Sequence, residues 1–312
     1  MSAGNSSSAS SSGVAPEHEA ANESAPRWLP LAPAIFLLLW SLGFPVARIA
    51  TGYVDPMLLL ALRFVCVLIV LLPLALWLRP PLPKRPADWG HLVVTGFLIQ
   101  TLYFGFSWSA FAFHASAGTV ALIVSLQPIL VALAAPALVG EVIGLRRWLG
   151  FVLGLVGALI VVVGRTAVEA TSAIGLLCAF LALLGMSGAT LYEKRFGVSQ
   201  HPVTANLIQY TTGLITTLPL AVIFGQLHAD FNGVVVASLA YLVIGNSLIA
   251  ITLLLAMIRL GEASRVSALF YLVPPCASLL AWLMLDEAMP PMAWLGMGIA
   301  AAGVALVRPA GR

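Results

Sequence analysis

Ten apolar stretches, each about 20 residues long and set apart by short polar segments, leave this chain very few ways to fold. A helix rises about 1.5 Å per residue and the hydrocarbon core of a bilayer is about 30 Å thick, so each stretch is long enough to cross. Helices are expected at 29–49, 56–78, 90–112, 116–138, 146–164, 172–191, 202–225, 234–257, 264–285 and 291–308. The stretches are continuous rather than alternating, which favours helices over barrel strands as the way to satisfy every backbone amide in lipid. With 61% hydrophobic and 9% charged residues, a water-soluble globule is excluded. The expected fold is an all-α polytopic membrane protein embedded in a lipid bilayer, with no soluble domain between its spans. Residues 1–26, rich in Ser and free of Lys and Arg, read as a disordered cytoplasmic tail lacking the basic start of a signal peptide.

The few charges carry the orientation. With the N-terminus inside, twelve Lys and Arg residues fall on inner segments and two, Arg48 and Arg165, on outer ones, while Arg63 lies within a span. Because cytoplasmic loops concentrate Lys and Arg, both termini are expected in the cytoplasm. Trp28, Trp77, Trp89, Trp148 and Trp294 stand at expected helix ends, where indoles anchor in the headgroup zone. The net charge of +3 forms no basic patch, so no nucleic-acid partner is expected. Cys66, Cys178 and Cys276 lie inside apolar stretches without disulfide or zinc spacing and read as small hydrophobes.

The chain also matches itself at an offset of 146 residues. Pro128, Glu141, Trp148, Leu149, Gly150 and Gly157 fall on Pro274, Glu287, Trp294, Leu295, Gly296 and Gly303, and residues 116–162 give twelve identities in 47 positions. The same offset pairs Arg48 with Lys194 and Pro56 with Pro202. It equals five helices, an odd number, so the two copies are expected to run through the bilayer in opposite senses. The loop charges agree: Arg146 and Arg147 become Met292 and Ala293. Ten helices in two inverted five-helix repeats is a recurrent plan of secondary transporters, whose site lies near the midplane between the halves.

Arg63-Phe64 in the second helix, a Pro followed by "LVGE" before a Trp-Leu-Gly helix, and a second Pro followed by "LMLDE" before another together resemble the EamA family of the drug/metabolite transporter superfamily. The resemblance covers residues 29–308, and its most specific feature is the doubled Pro-to-Glu-to-Gly spacing of 13 and 9 residues. It implies EamA halves at 27–165 and 171–309. It also implies export or exchange of small metabolites such as amino acids, and a bacterial inner-membrane location. The first four helices of each half would surround the cavity, with helices five and ten outside. The small multidrug branch carries a glutamate in its first helix; residues 29–49 contain none, which argues against carboxylate-driven exchange of drugs and protons.

Polar groups in hydrocarbon are costly and face a partner, a cavity or a pathway. Gln100 and Asn246 occupy the same depth in the two repeats and read equally as amides that bind a polar substrate or as interhelical glue. Gln100, Tyr103, Ser107 and His114 fall on one helical stripe above Gly96. Trp40, mid-helix, and Tyr271, beside Pro274, are aromatic candidates for substrate contact by stacking or cation-π attraction. Arg63 either snorkels to the headgroups, its default, or offers a cation to a substrate carboxylate; its repeat mate is the neutral Gln209. Pro128 and Pro274 are expected to kink helices four and nine, and Glu141 and Glu287 to tie helix ends or gate.

No Asp or Glu falls in the central third of any expected span, which favours facilitated diffusion or exchange over proton coupling. Without a Walker-type loop, a metal-spaced His pair or a titratable cluster, neither cofactor, metal nor enzymatic activity is expected. The expected partner is a small polar metabolite, with an amino acid as the leading class. Nucleotide-sugar or sugar-phosphate exchange would need more cavity cations than Arg63, and a non-transporting structural role would show no solute flux.

Overall fold

A computed structural model describes residues 31–113, 115, 117–140, 143–165, 172–198, 200–225, 227–260, 266, 269–285 and 291–307. Among them are α1 (Ala32–Thr51), α2 (Pro56–Leu78), α3 (Pro86–Ala112), α4 in two pieces (Ala117–Val124 and Gln127–Val139) and α5 (Leu145–Arg165). The second half holds α6 (Ala173–Phe196), α7 (Pro202–Phe224), α8 (233–260), α9 (269–285) and α10 (Pro291–Val307). Six of these, α1, α2, α3, α6, α7 and α8, are long and apolar enough to cross a membrane. The 1–26 tail, His114, Glu141 and Glu287 lie outside the described residues.

Helix starts follow from the sequence. Proline needs no donor in a first turn, and Pro56 and Pro202 open α2 and α7 at equivalent places. The residues before them cap in the same way: Asp55 accepts from the amides of Met57 and Leu58, and His201 from that of Val203. Ser172 caps α6 through Gly175 N and donates to Phe113 O at 2.7 Å, and Asn232 caps α8 through Val235 N. α4 ends on Gly140, whose φ of 69° suits glycine.

Several boundaries differ from the sequence reading. α6 runs to Phe196 rather than stopping near 191, so Glu193, Lys194 and Arg195 belong to its last turns instead of a loop. The expected kinks at the paired prolines are changes of winding. α4 breaks at Ser125-Leu126 and Pro128 enters the first turn of its second piece, while α9 turns from 3-10 (Leu269–Leu272) to α (Val273–Leu285), with Pro274 second in the α part.

Helix pairing obeys one exchange rule, in which each helix of the first half trades places with its counterpart five helices on. α1 packs on α9 as α6 packs on α4, α3 on α6 as α8 on α1, and α3 on α7 as α8 on α2. Three pairs, α2 with α7, α4 with α9 and α5 with α10, map onto themselves. The connections follow the same rule. The α1–α2 segment bridges the α7–α8 segment at Val54 and Ala229, with Asp55 N to His228 O and Asp230 N to Tyr53 O both at 2.9 Å. Its counterpart is the α6–α7 segment against α2–α3, where Gln200 and Thr204 both donate to Pro81 O.

The most extensive pair, α5 with α10, closes on glycine. A Cβ at Gly157 would stand 2.3 Å from Ala300 N, and one at Gly303 2.4 Å from Gly154 N. Small residues allow this backbone approach, which supplies packing energy where no hydrophobic drive exists between helices. Gly157→Val is therefore expected to destabilise the chain by about 1–3 kcal/mol, since no neighbouring flexible side chain can yield. Gly298→Ala, on a face of α10 with nothing within 4 Å, should leave stability unchanged or slightly raised. Thermal unfolding of both variants in detergent checks the pair.

Candidate functional site

Two wide turns shape the centre of the bundle. α3 is π-helical over Phe97–Gly105 and α8 over Leu242–Ala250, positions that coincide to within one residue under the internal repeat. Bonding from i to i+5 adds a residue to the turn and re-aims the side chains that follow, a device common at functional sites. In α8 it presents Asn246 and Ser247 to α2, which is where Arg63 lies.

Arg63 is fully buried. Its Nε donates to Ser247 Oγ at 2.6 Å and its Nη2 to Asn246 Oδ1 at 2.9 Å. Snorkelling is thereby overturned: the side chain is held inside, across the two halves, by neutral groups. The guanidinium lies over the Phe104 ring at 4.2 Å and near that of Trp108 at 5.6 Å, so two π-faces also oppose its charge. Ser247 Oγ passes its proton on to Leu242 O at 2.8 Å, and Tyr210 donates to Ser247 O at 2.7 Å. Since a guanidinium only donates, the Asn246 atom it meets is the oxygen, and the amide NH₂ faces Gly43. That approach needs glycine, because a Cβ there would be 2.6 Å from Asn246 Nδ2.

A small cavity opens beside this group, and Trp40, Arg63, Tyr103, Ser107 and Asn246 are among the residues that line it. Trp40 stacks on Tyr103 with centroids 5.7 Å apart and meets Phe270 edge-on at 5.6 Å. Three polar atoms of these lining residues, Arg63 Nη1, Trp40 Nε1 and Ser107 Oγ, are buried without a hydrogen-bond partner.

Four of the six substrate-contact candidates, Trp40, Arg63, Tyr103 and Asn246, thus converge. Gln100 and Tyr271 do not. The wide turn of α3 puts Gln100 against α7, where a Cβ on Gly213 would be 2.7 Å from Gln100 Cβ, and both ends of its buried amide lack partners. It therefore departs from the stripe that Tyr103 and Ser107 keep. Tyr271 instead packs into α5: a Cβ on Gly154 would be 2.5 Å from its ring, and Phe151 lies at 6.4 Å.

Sequence reasoning missed Phe104 and Trp108 as partners of Arg63, although their spacing of four puts them on one helix face. It also missed Glu193. That residue is buried one turn from the end of α6 and accepts from Thr95 at 3.2 Å; one turn earlier on α6, Thr190 Oγ1 accepts from Gln127 at 2.8 Å. Beyond it, His91 Nδ1 meets Tyr192 Oη at 2.8 Å. Among the described residues no group of three His, Cys, Asp or Glu could hold a metal ion.

Comparison with known proteins fits this arrangement. The EamA-like transporter family matches twice, over residues 28–163 and 173–308. An uncharacterized transporter of Synechocystis sp. is 25% identical over 287 residues, 86% of each chain. A probable amino-acid metabolite efflux pump of Escherichia coli is 22% identical over 272 residues, 84% of this chain and 88% of its own. A crystal structure at 22% identity superimposes with a TM-score of 0.75 over 89% of this chain and 96% of its own, a likeness of fold. With the family's domain matched across both halves of its helical bundle, the chain belongs to the EamA-like transporter family.

Proposed function

We propose that the protein is a secondary transporter of ten membrane-spanning helices, built as two inverted five-helix halves at 27–165 and 171–309. It resides in the bacterial inner membrane with both termini cytoplasmic. It exports or exchanges a small polar metabolite, an amino acid in the first instance, by alternating access. The name of the Escherichia coli relative supports the solute class.

One observation carries the mechanism. The cavity at Arg63 has a counterpart, found by moving each wall residue across the repeat: Trp40 becomes Met186, Phe44 becomes Thr190, Arg63 becomes Gln209, Asn246 becomes Gln100 and Leu242 becomes Gly96. That counterpart is shut. A Cβ on Gly96 would stand 2.7 Å from Gln209 Cα, so α3 and α7 touch there, whereas α8 and α2 leave room at the equivalent place. We read this difference as one repeat open and the other closed, so that trading the two arrangements would move access from one side to the other. The buried, unpaired amides of Gln100 and Gln209 would line the second opening.

Cells that overproduce the chain should lose preloaded radiolabelled amino acids faster and resist toxic amino-acid analogues. Efflux no faster than from vector controls, across all of them, refutes the solute class. Gly96→Val would wedge the shut side and should slow flux by about tenfold with the protein still inserted. Unchanged flux in that variant removes alternating access through this seam.

The amides separate two roles. Asn246→Leu strips an acceptor from a buried cation and should cost about 3–5 kcal/mol in unfolding measurements. Gln100→Leu removes an amide that has no partner, so it should hold or raise stability by about 1 kcal/mol while lowering flux. A stability loss with native flux would make Gln100 interhelical glue.

A further inference from the structure

The cavity wall is chemically one-sided. The unpartnered buried atoms of its lining residues, Arg63 Nη1, Trp40 Nε1 and Ser107 Oγ, can all donate, and the Asn246 oxygen is already taken by Arg63, which leaves that amide its NH₂. No Asp or Glu lies among the described residues of the wall to receive an ammonium group. The guanidinium has neutral partners only, Ser247 and Asn246, so its buried charge awaits an anion. Its Nε and Nη2 are engaged, while the buried Nη1 has no partner and is the nitrogen left to meet an anionic group. Around this single point the wall is aromatic, with Phe104 and Trp108 beside the cation itself.

We propose that this cavity is a receptor for organic monocarboxylates with an apolar or aromatic body, in which Arg63 Nη1 takes the carboxylate and a solute ammonium group is dispensable. The inference rests on reading the cavity as the solute site of the transporter. An amino acid is then held by its carboxylate and side chain, and the same molecule without its amine is an equally good ligand.

The test uses the full chain in detergent and three probes that share one ring: phenylalanine, 3-phenylpropanoate, which lacks the amine, and 2-phenylethylamine, which lacks the carboxylate. Calorimetric titration should show 3-phenylpropanoate binding within about threefold of phenylalanine, and 2-phenylethylamine at least about tenfold weaker. Arg63→Gln should weaken both carboxylates by at least about tenfold, and Arg63→Lys by less. Amine binding as tight as carboxylate binding overturns the proposal, as does failure of every probe to bind or native affinity in a folded Arg63→Gln protein. The probe series on the unaltered chain decides even where Arg63→Gln does not fold. Counterflow of the same probes in proteoliposomes separates the two claims. Carboxylates that bind without being carried leave the receptor standing and sink the transporter. Flux that requires the amine and ignores Arg63 sinks the receptor alone.

Discussion

A guanidinium in hydrocarbon, with no described carboxylate at its cavity, is the group on which the centre of this molecule depends. A buried cation is tolerated only when its donors are met and its field opposed. Arg63 meets that demand with a hydroxyl and an amide from the other half of the chain and two aromatic faces from α3. Each partner has its own requirement. Asn246 needs the absence of a side chain at Gly43, and Ser247 needs the wide turn of α8. Phe104 and Trp108 stay on one side because α3 returns to ordinary winding after Gly105. One charged side chain therefore ties α1, α2, α3 and α8 into a single arrangement.

Much of the fold could be read in advance because lipid leaves so little choice. Apolar stretches of bilayer length and the Pro56/Pro202 helix starts express local rules, and helices lie over the described parts of those stretches, six of them long and apolar enough to cross a membrane. The departures arise where a tertiary contact outweighs local pattern. Glu193, Lys194 and Arg195 look like a loop by hydropathy, yet α6 continues through them because Glu193 finds Thr95 on α3. Helical spacing put Gln100 in line with Tyr103 and Ser107, but a π stretch, which hydrophobic periodicity does not reveal, turned it towards α7.

The site was legible as residue types and less so as geometry. Trp40, Arg63, Tyr103 and Asn246 stood out because polar or aromatic groups in mid-span are costly or unusual, a rule that needs no coordinates. Tyr271 met the same criterion and failed it in space, since the void it fills is made by Gly154, more than a hundred positions away in the chain. Snorkelling was the wrong default for Arg63 because that rule considers a single helix, whereas its partners come from 183 and 184 positions further along.

The wide turn in α8 has one more consequence. Ser247 cannot rotate freely, because its hydroxyl proton is committed to the Leu242 carbonyl five residues back, and its lone pair is left for Arg63. Arg63, Ser247 and Leu242 so form a directed chain of donors in which no proton can be reversed without breaking a bond at each end. Part of the positive charge of the first half is thereby spread onto the main chain of the second. A solute that draws Arg63 away would be felt as a slackened carbonyl in α8, at the turn least able to replace it.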